Sequence, residues 1–159
     1  MIKRITGHDQ TKTFDADQHW LDLNDLVKVE VSSEDREHPI EAALLLHPQS
    51  QSGWRAAESG VQTLRILFDQ PQRIQTVYLA FQEFESASTQ EFLLRWSSDA
   101  GKSYRDIVRQ QYNFSLPDTT AEHENYSVNL DRVTNLELTI NPNISGGAAR
   151  ASLTKFRVK

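Results

Sequence analysis

The chain has 159 residues, 38% of them hydrophobic, and a formal net charge of −5. That length suits one sizeable core and is short for two domains; such a domain should bury roughly 70% of the surface its unfolded chain exposes. The absence of cysteine excludes a disulfide framework and a Cys-based zinc site, and the acidic balance, with Lys and Arg scattered singly among acids, argues against nucleic-acid partners and anionic lipid.

Residues 1–26 read as an irregular N-terminal segment with Trp20, Leu21, Leu23 and Leu26 as anchors onto a core. The first residues are basic but have no apolar run behind them, so they do not form a secretory signal. No stretch is long enough to cross a bilayer. The expectation is a soluble, cytoplasmic protein without membrane insertion. Asp15-Ala16-Asp17-Gln18-His19, with His8 and Asp9 upstream, matches neither a zinc nor an EF-hand spacing and reads as a solvated segment.

From Val27 the pattern becomes strand-like. Val27, Val29 and Val31 alternate with Lys28, Glu30 and Ser32. Ile40 to Leu46 reads as a short helix or an irregular buried segment, too short for periodicity to decide. Leu64, Ile66 and Phe68 alternate next, Pro71 breaks the run, and Val77, Leu79 and Phe81 share a face beyond it. Phe92, Leu94 and Trp96 repeat the pattern before a polar turn, Ser97-Ser98-Asp99-Ala100-Gly101. Tyr104, Ile107 and Val108 start the return strand, with a bulge between them. Tyr126, Val128 and Leu130 form one further run, Leu136, Leu138 and Ile140 another, and Leu153, Phe156 and Val158 close the chain. No repeat, linker or long amphipathic helix appears. About eight short strands separated by turn signals predict a single all-β domain over 1–159, an antiparallel sandwich.

In this order and spacing, the segments resemble the discoidin or coagulation-factor C-type domain of the galactose-binding-like jelly rolls. The resemblance rests on Leu21-Asp22-Leu23, Val29-Glu30-Val31-Ser32-Ser33, Ala42-Ala43-Leu44, Trp54 and the run from Gln62 to Phe68. It continues through Pro71, Ile74, Val77, the Trp96–Gly101 hairpin and the closing Ala151–Val158. The chain departs from the family at Leu45-Leu46-His47-Pro48, where members often carry Asp-Gly. It departs again at Arg55, where many sugar-binding members place a histidine after the tryptophan. It also lacks the fucose-lectin pattern of a histidine followed by paired arginines.

The resemblance implies ligand binding by loops at one end of the sandwich, where the chain is not committed to the core. That end should gather Ser32–Pro39, His47–Trp54, Gln82–Gln90 and Asn141–Gly147. The candidate ligand-binding residues are Glu34, Arg36, His47, Trp54, Arg55, Glu83, Phe84, Glu85 and Asn143, with Glu37 and His38 beside them. A sugar site needs an apolar face for the ring and planar or bidentate polar groups for vicinal hydroxyls, and these residue types supply both. Each also has a structural reading: Trp54 as a core residue, Arg55 as an ion-pair partner, and Glu34-Asp35-Arg36-Glu37 as a solvated charge cluster. Phe84 either stacks on a ligand or tucks under its own loop. No nucleophile elbow, phosphate loop or metalloprotease helix is present, so no catalytic residue is assigned and the chain does not read as an enzyme. No cofactor is expected. Some galactose-binding-like modules hold a structural calcium ion through loop carbonyls, which leave no side-chain signature, so calcium is left open. The expected function is a non-catalytic module binding carbohydrate. The alternatives are an intracellular protein-interaction domain and an accessory domain serving an enzyme on another chain.

Overall fold

The computed structural model describes residues 19–83, 87–115 and 120–159. Eight strands appear among them: β1 Val27–Val31, β2 Trp54–Ser59, β3 Gln62–Gln82, β4 Ser88–Ser97, β5 Arg105–Phe114, β6 Ala121–Asn141, β7 Arg150–Leu153 and β8 Lys155–Val158. All their pairings are antiparallel. The main sheet runs β1-β3-β6-β4-β5, with β8 on the second half of β3, while β2 and β7 form a separate pair.

Two long strands create the layers. β3 and β6 are hydrogen-bonded along most of their length, but their register shifts between Leu67 and Thr76. Before that shift the β3 residues in the main core are Leu64, Ile66 and Phe68; after it they are Val77, Leu79 and Phe81, while Tyr78 and Ala80 between them are buried in a separate cluster with Trp20. Side chains alternate with period two, so an odd slip exchanges the faces, and the ribbon can bend over and remain apolar within. Pro71 therefore does not end a strand, as the sequence suggested. It sits at the bend, where its missing N–H costs no ladder bond. The two expected runs around Tyr126 and Leu136 are likewise one strand, bent at Arg132 (φ 60°).

The layers meet through an aromatic cluster. Phe81 stacks on Phe92 with centroids 5.3 Å apart, Tyr112 lies 5.9 Å from Phe81, and Tyr126 meets Phe92 edge-on at 6.4 Å. Trp54, Phe114 and Phe156 complete the largest buried side chains. The ambiguous Ile40–Leu46 segment contains a single-turn helix, α1 (Glu41–Leu44), with Ala42, Ala43 and Leu44 buried. Its last carbonyls are held by buried Arg157, which donates to Ala43 O at 2.8 Å and Leu45 O at 2.9 Å. Trp20 packs on Tyr78 and Leu23 enters the core, as expected of the anchors.

The outer face of the main sheet carries a charge row: Glu30, Arg65, Glu137, Arg95 and Asp106 stand opposite one another across five strands. Glu137 is buried and accepts from Arg65 Nε and Arg95 Nε, each at 2.9 Å. The bulge expected in the hairpin is present: Leu94 faces Val108 and Arg95 faces Asp106, leaving Ile107 as the extra residue.

Candidate functional site at the loop end

Backbone hydrogen bonds draw distant segments to one end of the sandwich. Ser32 N donates to Thr63 O at 3.0 Å, Asp35 N to Arg55 O at 2.8 Å and Arg55 N to His38 O at 3.2 Å. Gly60 N donates to Ala149 O at 3.2 Å, and Ile144 N to Thr89 O at 2.9 Å. These bonds hold the Ser32–Pro39 and Asn141–Gly147 loops over the strand ends.

The candidate residues divide by role. Trp54 is 1% exposed and its Nε1 donates to Ser33 O at 3.0 Å, so it is a core residue and offers no ring face to a ligand. Arg55 and Glu83 approach to 3.9 Å with only 11% and 7% of their side chains exposed, which makes the pair a buried brace between β2 and the end of β3. Glu34 accepts from Ile40 N at 3.4 Å and shapes its own loop, while Arg36 stands exposed on it. His47 is exposed on the rim of a groove of about 510 Å³ beside α1, facing Glu37 and Glu41. Phe84 and Glu85 lie outside the described residues. Asn143 alone among the candidates lines two concavities.

Those two concavities form the floor of the site. One, of about 200 Å³, is apolar on its Val61, Pro142 and Ile144 side, and bends around Gly146 and Gly147. Val61 and Ile144 are the exposed large hydrophobics of the described residues, at 56% and 46%. The other, of about 390 Å³, is lined by Ser88, Thr89, Asn113, Ser115 and Ser145, with no charged group among the described residues. Asn143 lies where they meet. Its Oδ1 accepts from Ser145 N at 3.1 Å and its N–H donates to Asn141 Oδ1 at 3.3 Å, so the loop is fixed by side-chain-to-backbone turns.

Sequence reading missed the Val61 and Ile144 pair, because a valine one residue ahead of a strand reads as core. It also missed the clamp around Asp35. That carboxylate accepts from Glu37 N at 3.1 Å, and Arg150 Nη1 and His38 Nδ1 stand 3.5 and 3.6 Å away. The Glu37 N–H, with help from His38 and Arg150, holds the Asp35 carboxyl below its ordinary range. The turn around Asp35 has a local signal; Arg150, 115 residues away, has none. Among the described residues no three His, Asp or Glu side chains gather where they could hold a metal ion.

No protein-family model and no curated protein matches the sequence. Solved structures do match. A pectin-binding carbohydrate-binding module superposes with TM-score 0.60 at 17% identity, over 84% of this chain and 90% of its own. The family 32 module of AlyQ, in complex with 4,5-unsaturated mannuronic acid, gives 0.59 at 21% identity, over 85% and 95%. The shared fold is an antiparallel β-sandwich. A similar fold recurs in the structure of reduced XRCC1 bound to the DNA pol beta catalytic domain, with TM-score 0.56 at 14% identity over 84% and 96%. Solved structures with this architecture thus include sugar-bound and protein-bound examples, and at these identities the likeness is one of fold.

Proposed function

We propose that the protein is a non-catalytic carbohydrate-binding module that seats a sugar ring on the floor around Asn143. One observation carries this reading: at Asn143 a surface of hydroxyls and amides, uncharged among the described residues, meets an apolar one. A pyranose has the matching division, with hydroxyls at its rim and C–H groups on its face. Ser88, Thr89, Asn113 and Ser145 face the first, Val61 and Ile144 the second. The matched modules named for pectin and mannuronic acid support the ligand class. Nothing in this reading requires a cofactor.

The test is calorimetric titration with a panel of mono- and oligosaccharides, with and without calcium. At least one sugar should bind the wild type. Asn143→Ala combined with Ile144→Asp should weaken it about tenfold or more, since a lost hydrogen bond and a lost apolar contact each cost about 1 kcal/mol. A panel in which no sugar binds would end this reading.

The exposed Val61 and Ile144 also favour a second reading, a protein partner docked on the same end. The XRCC1 complex supports it as a precedent. In that case the double variant loses a partner recovered by crosslinking from native extract while no sugar affinity exists to lose.

A further inference from the structure

The groove beside α1 shares no lining residue with the loop-end floor, and at about 510 Å³ it is larger than either concavity there. Its shape follows from how α1 is anchored. Ile40, Ala43 and Leu44 are buried in the core, which leaves Glu41 on the exposed side of the single turn. The chain then leaves the helix extended at Leu45, with ψ 143°. Pro39, Ala42, Leu45 and Pro48 make an apolar floor, and its two prolines bring no N–H to it.

The rim is acidic. Glu37, Glu41 and His47 stand exposed on it, and among the described residues neither carboxylate has an ion-pair or side-chain hydrogen-bond partner. The acids just before them are occupied: Asp35 faces His38 and Arg150, and Glu34 accepts from Ile40 N. Arg36 does not line the groove. No aromatic ring lines it among the described residues, so it lacks the flat face on which a sugar ring usually rests. A lysine side chain has the matching division: a methylene stem for the apolar floor and an ammonium for the two carboxylates.

We propose that this groove docks a lysine-bearing segment of a protein partner. The stem of the lysine lies on Pro39, Leu45 and Pro48, and its ammonium is received at the Glu37 and Glu41 rim. The volume falls within the range of about 300–1,000 Å³ that holds a drug-sized ligand, which leaves room for the residues beside the lysine. The Gln49 amide and the Ser50 hydroxyl, also on the rim, supply polar groups for the backbone of such a segment. The surface is separate from the sugar floor, and its occupancy does not depend on that reading.

The experiment is an NMR titration of the full chain with a capped hexapeptide of alternating lysine and alanine. The same peptide with norleucine for lysine, and D-glucosamine, serve as controls. The lysine peptide should shift the amides of Glu37, Glu41, Ala42, Leu45 and His47 saturably, and less at higher salt. The norleucine peptide should not shift them. Glu37→Gln and Glu41→Gln each change an exposed side chain and should leave the fold intact; each should weaken binding about threefold, and the pair together about tenfold. No shift in the groove, an equal response to norleucine, tighter binding of glucosamine or an unaltered response of the double variant would each overturn the proposal. Shifts spread over the other exposed acids would overturn it as well, by showing attraction to net charge alone. A peptide response confined to Asn143 would overturn it while leaving the loop-end floor as a binding surface.

Discussion

The two ends of the sandwich are built on opposite principles. At the hairpin end, nine consecutive residues from Trp96 to Tyr104 organise themselves. Ser97 Oγ donates to Asp99 Oδ1 at 2.6 Å, Ser103 donates to the same carboxylate from N at 3.0 Å and from Oγ at 2.6 Å, and Gly101 N donates to Ser97 Oγ at 2.9 Å. Ala100 and Gly101 both take positive φ, 61° and 85°, and two neighbours on β6 help from outside: Thr134 Oγ1 accepts from Ala100 N at 2.9 Å and Asn135 Nδ2 donates to the Tyr104 hydroxyl at 3.3 Å. The loop end has local turns of its own, at Asp35 and Asn143, but joins them through long-range ties. Asp35 meets Arg150, Arg55 meets Glu83, and Ile144 meets Thr89, so its shape depends on the whole chain having folded. A self-contained turn is cheap to specify and leaves little to vary. An end assembled from distant segments can change any one of them, and it is there that the floor around Asn143 lies.

Substitutions can break or sharpen this contrast. The largest effect is expected from Trp54→Ala, which removes a fully buried side chain under the loop end and leaves Ser33 O without its donor. A loss of about 3–5 kcal/mol should appear in a denaturant midpoint, and a loss under about 1 kcal/mol would show that the loop end stands without its core support. Gly53→Ala comes next. At φ 74°, its new Cβ would lie 2.5 Å from Leu153 O and 2.7 Å from Thr154 Cα, so the β2–β7 pair must shift. The expected cost is about 2–3 kcal/mol, and an unchanged melting temperature would contradict the close approach.

At the hairpin end the effect is smaller and depends on pH. Hydrogen bonds from Ser103, first, and Ser97 hold the Asp99 carboxyl well below the ordinary range. A carboxyl depressed in the folded state adds stability above its unfolded pKa, near 4, and that share is lost as pH falls from about 5 toward the folded value. Asp99→Asn should therefore lower the melting temperature at pH 7 and flatten its decline on acidification. Parallel curves for variant and wild type would mean that other carboxylates carry the acid sensitivity. The smallest stability effect belongs to Val61→Ser, which should stay within about 0.5 kcal/mol because the side chain is exposed, yet lower sugar affinity. A large stability loss would place Val61 in the core and remove it from the floor.

Much of the fold was legible because it depends on short-range pattern. Alternation in Val27–Val31, Leu64–Phe68 and Phe92–Trp96 marks strands wherever one face is buried, and the Ser-Asp-Ala-Gly turn marks its hairpin. Pro71 misled because a proline without a ladder partner looks the same at a strand end and at a bend. The choice was made by β6 running alongside it with a slipped register. The candidate site was legible only by region. The loops named for it do converge, but Trp54 points inward, and Arg55 and Glu83 answer each other across 28 positions.

The sequence by itself determined an all-β antiparallel sandwich, its hairpin and its buried strand faces, because side-chain periodicity and turn chemistry act over a few residues. Only the tertiary structure decided which loop residues face solvent. It paired Arg150 with Asp35 and left Val61 and Ile144 exposed beside Asn143. Those neighbours come from segments far apart in the chain, and their meeting is fixed by strand order and register, which no local pattern records.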